Sequence, residues 1–441
     1  MKRAKRKAGV AGTMMRWAYA GAGAAVGAFT SLRSLVASGP ARRKLRERQG
    51  LWDGHRRSAQ PWIWIHSSSL GEAEIAVAVA RALEPSAPGL RLVASAMTDS
   101  GLARLEHEHG IESRYFPIDF APFVKKILEP LPPRLFVAVE TEIWPETLRL
   151  LADKRVPVAI VNARLSEESV PRYRRIGPML RPLLAGAVTR VCARDTESAR
   201  RWISLGVPEA RVRTMGNIKY DLSIPEEDLA VEPLFPRAPG SPTLLGASTH
   251  EGEEAIVLNA FTQVRKPVAA SRLILAPRHV ERAPAVVAQV RARGLVARTW
   301  SELEQADRTE TWPMAIDVVV LDRFGLLRRA YAAATACFVG GSAVPGPGGH
   351  NLLEAASAGC PMAAGRHLGN VEDQADLLHR VGALRITDDA AALSSFWIEV
   401  IAIPEHFLDL VADAKAVVPE RRGALERNVA ALVPLLGSRR G

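Results

Sequence analysis

Trp62-Ile63-Trp64-Ile65-His66-Ser67-Ser68-Ser69-Leu70-Gly71-Glu72 opens the part of the chain that decides its fold. Trp62 to Ile65 is a short apolar run of the kind that forms a strand buried on both faces. It stops at His66, passes three serines and gives way to Glu72 to Leu83, whose spacing predicts a helix. The same phrase recurs downstream. Leu92 to Ala96, Leu135 to Val139, Val156 to Asn162 and Val188 to Ala193 read as further buried strands separated by helical stretches. This alternation implies an α/β fold with a parallel, doubly wound sheet. Ligands of such sheets bind beyond the C-terminal ends of the strands.

From Asp221 to Pro242 the pattern breaks. Pro225, Pro233, Pro236, Pro239 and Pro242 fall there among several acids, which predicts a linker over 221–242. Alternation resumes with Thr243 to Ala247, Leu273 to Ala276, Asp317 to Leu321 and Ala336 to Val339. The simplest architecture is two Rossmann-like domains facing a cleft, over 51–220 and 243–415. The last helices, Pro404 to Lys415 and Pro419 to Val433, are candidates to pack back on the first domain, with 416–441 as a C-terminal segment of its own. A chain of 441 residues agrees with two cores rather than one.

Residues 1–50 differ in kind. Lys2, Arg3, Lys5, Arg6 and Lys7 precede an uncharged run from Trp17 to Leu32, and Arg33, Arg42, Arg43, Lys44, Arg46 and Arg48 follow. The run is shorter than the roughly 20 apolar residues of a spanning helix. A helix lying in a membrane interface, with its basic flanks on anionic lipid, fits this pattern. A surface helix packed on the first domain and a cleaved signal are the other readings. The net charge of +11 points to anionic partners. No zinc-finger spacing or aromatic-basic signature accompanies it, so nucleic acid is not the expected partner. The three cysteines, Cys192, Cys337 and Cys360, are far apart, which predicts neither a disulfide framework nor a thiolate metal site.

Polar motifs cluster where strands are expected to end. His66 to Glu72 offers a carboxylate that could take a proton from a hydroxyl, although Ser69-x-x-Glu72 is also a capping box. In Glu140-Thr141-Glu142-Ile143-Trp144-Pro145-Glu146, an extended chain would put Glu140 and Glu142 on one face. Asn162-Ala163-Arg164-Leu165-Ser166 reads as a binding edge or a polar loop. Lys219, in Gly216 to Asp221, could reach a phosphate. Ser248-Thr249-His250-Glu251-Gly252 opens a helix whose backbone N–H groups suit an anion, and Pro277-Arg278-His279 supplies a guanidinium. Gly340-Gly341-Ser342 and Gly348 to Glu354 let backbone approach a ligand. Each motif has an ordinary structural explanation. Their shared position says cleft enzyme handling a phosphorylated ligand.

In order and spacing, HSSSLGE (66–72), ETEIWPE (140–146), NARLS (162–166), GNIKYD (216–221), STHEGEE (248–254), PRH (277–279), FVGGS (338–342) and GGHNLLE (348–354) resemble the Kdo transferase family of lipopolysaccharide synthesis. Kdo is 3-deoxy-D-manno-octulosonic acid, and the resemblance runs from roughly residue 61 to 380. It implies the GT-B architecture, an acceptor-binding first domain and a CMP-sugar-binding second one. It implies Glu72 as general base, with Glu140 and Lys219 stabilising the transition state. Pro277, Arg278, Asn351, Leu352, Leu353 and Glu354 match donor-binding positions, with Phe324, Gly325 and Leu326, and with Ser248 and His250 near them. Ser69, Gly71 and Arg164 are acceptor-side candidates. CMP-Kdo would be a co-substrate, with no cofactor and no metal, and the acceptor a lipid A precursor at the cytoplasmic face of a bacterial inner membrane. Leu326 stands where the family usually has glutamate, Leu352 where it has proline, and Gly365 to Asn370 replace a more aromatic run. The rival readings are a GT-B enzyme using another nucleotide sugar and a membrane-bound binding protein without turnover.

Overall fold

The structure, a computed structural model, describes residues 2–54, 59–129, 131–222, 231–306, 310–313 and 315–437, without the side chains of 2–9 and 417–420. The basic side chains from Lys2 to Lys7 and residues 223–230 of the expected linker lie outside this description. The chain divides into two compact units, residues 1–222 with 421–441 and residues 223–420.

The first unit holds seven parallel strands: β1 (Trp62–Ser67), β2 (Arg91–Ala96), β3 (Ile111–Tyr115), β4 (Leu135–Val139), β5 (Val158–Ala163), β6 (Val188–Ala193) and β7 (Val212–Thr214). Their order is β3-β2-β1-β4-β5-β6-β7, so the winding reverses between β1 and β4. β1 explains why the sheet is covered on both sides. Trp62 and Trp64 point one way and pack among Trp52, Phe116 and Phe136, while Ile63 and Ile65 point the other way, toward the helix Leu70–Leu83. The edge strand β3 alternates buried and half-buried residues instead.

The second unit repeats the plan with β8 (Thr243–Thr249), β9 (Arg272–Pro277), β10 (Ala297–Thr299), β11 (Val318–Val320), β12 (Ala336–Val339), β13 (Met362–Ala364) and β14 (Leu384–Ile386). All pairs are parallel, in the order β10-β11-β9-β8-β12-β13-β14, which reverses between β8 and β12.

Several expectations need correction. β3, β7, β10, β13 and β14 carry no long apolar run and were not expected as strands. The proline-rich stretch is not all linker, because Leu234 and Phe235 are buried and Phe235 packs against Trp300 and Trp312. The chain rejoins the first unit at Arg421 rather than at 416, and its last helix is Ala424–Gly437. That helix packs on the helix Leu70–Leu83 and on β5 and β6. Asp221 receives the N–H groups of Gly423 and Leu425, and Asn428 Oδ1 receives that of Asn162, at 3.2 Å.

The N-terminal segment forms one helix, Lys2–Val36, lying against the helix Gly177–Ala187. Gly12 permits the approach, since a Cβ there would meet the Pro178 carbonyl oxygen at 2.5 Å. Tyr19 donates to Asp119 at 2.8 Å. Met14, Trp17, Phe29, Leu32, Leu35 and Val36 stay exposed. Among the described residues no single helix is long and apolar enough to cross a membrane.

Candidate active site

In the first unit the expected residues gather where the winding reverses. β1 ends at Ser67, and Ser69 caps the next helix by accepting the N–H of Glu72 at 3.4 Å. A full capping box would return the Glu72 carboxylate to the N–H of Ser69. Instead Oε2 takes the N–H of Ser68 at 2.7 Å, and Oε1 accepts the Ser69 hydroxyl at 3.2 Å. The helix cap and the carboxylate's placement are therefore one arrangement. Gly71 has open space where a Cβ would be. Burial, then Glu140, then Glu142 push the Glu72 carboxyl up to about 8.

Glu140 follows β4 with φ of +61°, in the left-handed region. The chain does not stay extended there, so Glu140 and Glu142 do not share a strand face as expected. The turn carries Glu140 to Lys219, whose Nζ lies 3.1 Å from Oε1. Despite burial, Lys219, Arg194 and Arg164 hold the Glu140 carboxyl below its ordinary value. Glu142 lies against His66, with Oε2 3.3 Å from Nε2. Among the described residues, three of the four non-glycine residues with positive φ, Glu140, Asn162 and Ser248, sit at the C-terminal ends of β4, β5 and β8. Such conformations persist where the surroundings over-determine them.

Asn162 is not a ligand edge. It is fully buried, and its Oδ1 receives the N–H of Ile218 at 2.9 Å. It fixes the loop that delivers Lys219. The Arg164 carbonyl accepts the Thr141 hydroxyl, which ties the β5 end to the loop after β4.

The second unit gathers its own set where β8 and β12 diverge. Gly340-Gly341-Ser342 was expected to let backbone approach a ligand, and the loop continues through Ala343 with its N–H groups turned inward. Glu253 occupies three of them, accepting Gly341, Ser342 and Ala343 at 2.7 to 2.9 Å, and takes the N–H of His250 as well. The sequence signal was a second acid in the run Glu251 to Glu254, and it was missed. Its neighbour Glu254, equally buried, holds Arg282 at 2.5 Å. His250 and His350 stack with Nε2 atoms 2.8 Å apart, and His279 meets His250 edge-on. Burial, then Arg278, then His250 and His279 push His350 down to about 3, so it is neutral at physiological pH.

Pro277 ends β9, and the Arg278 N–H bonds to the Thr249 carbonyl at 2.9 Å. This backbone pairing across the ends of β8 and β9 brings those two motifs together. Asn351 donates to Glu354 at 3.2 Å. Leu352 and Leu353 were expected among donor contacts, but their side chains are fully buried, so only their backbone could touch a ligand. The helix they open, Leu353–Ser357, has 5 residues. Leu326 precedes the helix Leu327–Ala333, after Gly325 at φ of +87° and an exposed Phe324.

Residues 43–222 match the family described as 3-Deoxy-D-manno-octulosonic-acid transferase (kdotransferase). The 3-deoxy-D-manno-octulosonic acid transferase of Haemophilus influenzae is 30% identical over 90% of this chain and 92% of its own. That of Bordetella pertussis is 33% identical over 85% and 87%. The chain belongs to the Kdo transferase family. A crystal structure of Anabaena HepE in complex with UDP and glucose covers 85% of this chain and 99% of its own, with a TM-score of 0.52 at 17% identity. That likeness shows the GT-B fold. As a member of the Kdo transferase family, the chain is a glycosyltransferase.

Proposed function

We propose that this Kdo transferase moves Kdo from CMP-Kdo to a hydroxyl of a lipid A precursor, lipid IVA, in lipopolysaccharide biosynthesis. The observation that carries the chemistry is Glu72, a carboxylate held by Ser68 and Ser69 beside two other acids. Glu72 takes the proton of the acceptor hydroxyl as its oxygen bonds to the anomeric carbon. The bond from that carbon to the CMP phosphate oxygen breaks, and its electron pair leaves with the phosphate. Attack opposite the leaving group inverts the configuration. Positive charge developing on the sugar is offset by Glu140, and Lys219 and Arg278 take up charge near the phosphate. CMP contacts fall to Pro277, Arg278, Asn351 and Glu354.

The exposed apolar side chains of the helix Lys2–Val36 support a place in the interface of a bacterial inner membrane, on the cytoplasmic side. Met14, Trp17, Leu32 and Leu35 recur at helical spacing along it.

The test is transfer to a tetraacylated lipid A precursor, with CMP-Kdo generated in situ, by wild type and Glu72→Ala. Product from wild type alone supports both the reaction and the base. Product from both returns Glu72 to a capping role. No product from folded wild type overturns the donor or acceptor assignment.

A further inference from the structure

Glu142 plays no part in the mechanism above, yet the sheet builds a chain of buried side chains toward it. Trp64 Nε1–H donates to Ser95 Oγ at 2.8 Å. An indole has only a donor to give, so the Ser95 hydroxyl hydrogen is free to point elsewhere. His66 Nδ1 lies 3.1 Å from that hydroxyl. His66 is itself fully buried and stacked on Phe116 at 3.8 Å, so its ring has one orientation. If Nδ1 accepts from Ser95, the proton of the neutral imidazole sits on Nε2, 3.3 Å from Glu142 Oε2. Trp144 Nε1–H donates to the same oxygen at 2.8 Å. The other neutral tautomer would place Nδ1–H on the Ser95 carbonyl, 3.2 Å away, and leave Nε2 to accept from the Trp144 Nε1–H, 3.1 Å away. Only a proton on Nε2 gives Glu142 a hydrogen bond from His66, and that is the arrangement in which the chain reaches the carboxylate.

Ser68 joins this chain to the base. Its N–H binds Glu72, and its side chain is near enough to Glu142 to help hold that carboxyl below its ordinary value.

We propose that Glu142 is a positioning residue for the transfer, its carboxylate fixed beside Glu72 by the Trp64–Ser95–His66 chain so that Glu72 works as a stronger base. The proposal rests on the reading of Glu72 as the base. The other charged or titratable groups about this pair are Glu140 after β4, Lys219, Arg164 and Arg194, and Tyr173 near Glu142. Glu140 is paired with Lys219 at 3.1 Å, whereas Glu142 is held by His66 at 3.3 Å and by Trp144, so the two acids act on Glu72 from separately anchored positions.

The experiment is the pH profile of kcat/KM for transfer. Glu72 must be ionised to accept a proton, so activity is lost on the acid side as Glu72 protonates. Glu142→Gln removes a negative neighbour, and the acid limb is expected to move down by about one pH unit while the plateau falls roughly ten-fold, as a weaker base predicts. His66→Phe keeps the stacked ring but no donor and is expected to move the limb the same way. His66→Gln, which can still donate to Glu142, is expected to restore much of the shift. Ser95→Ala removes the tautomer control together with the acceptor of the Trp64 N–H, and serves if His66→Phe does not fold. An unmoved acid limb in Glu142→Gln and in Ser95→Ala, with Glu72→Ala inactive, overturns the proposal. Transfer that survives Glu72→Ala overturns the reading of the base instead, and the proposal with it.

Discussion

With its carboxyl pushed up to about 8 from 4.5, Glu72 holds its proton in the folded enzyme across pH values where an unfolded chain has released it. Between those values the unfolded state binds fewer protons, so folded stability falls as pH rises from about 4.5 to about 8. Glu72→Gln removes that dependence. The variant is expected to melt with wild type at pH 4.5 and roughly 2–4 °C above it at pH 8, for a difference of about 1 kcal/mol after allowance for solvent screening. Thermal melts at the two pH values check the expectation, and equal melting at pH 8 counts against it. The residue and its neighbours were legible in the sequence as a motif, and its alternative role as a capping box was legible too. That one carboxylate would serve both the helix start and the Ser68 N–H was not, because the cap partner is decided by a side-chain rotamer. Nor was the role of Glu142, which depends on Ser95, distant along the chain and brought near only once β1 and β2 pair.

At the scale of elements, the central strands were legible because they are continuous apolar runs. Leu135–Val139 and Ala336–Val339 begin and end where the pattern does. The edge strands were not. β3 reads Ile-Glu-Ser-Arg-Tyr, and β10 reads Ala-Arg-Thr, so charge at the sheet margin hides them. The glycine-rich loop after β12 shows the same limit at a site. Its glycines were legible as close-approach positions, but the group that approaches is the protein's own Glu253. Glu253→Gln replaces an acceptor of several N–H groups by one with a competing donor. It is expected to cost about 3 kcal/mol of stability in the second unit and to weaken CMP binding. Calorimetric titration with CMP and a thermal melt check both effects, and unchanged CMP affinity would separate this loop from the donor site.

For the whole molecule, the N-terminal helix and the two units make different demands. The helix presents Trp17 and Leu32 to solvent while Tyr19 ties its other side to Asp119. Asp119 in turn receives the N–H groups of Glu146 and Thr147, at the start of the helix that follows the Glu140–Glu142 loop. Trp17→Glu with Leu32→Glu is expected to lower flotation with vesicles containing anionic phospholipid at least several-fold, with the fold and activity on a detergent-dispersed acceptor kept. Undiminished flotation would remove this face from the membrane assignment. The ends of the chain also impose an order in time. The first unit is closed by the helix Ala424–Gly437, whose Asn428 and whose preceding Gly423 reach back to Asn162 and Asp221. During synthesis the ribosome therefore makes most of the first unit, then all of the second, before it makes the piece that completes the first. The second unit can mature while the unit that carries Glu72 still waits, so a messenger truncated before Arg421 yields a chain with the second unit formed and the first still open.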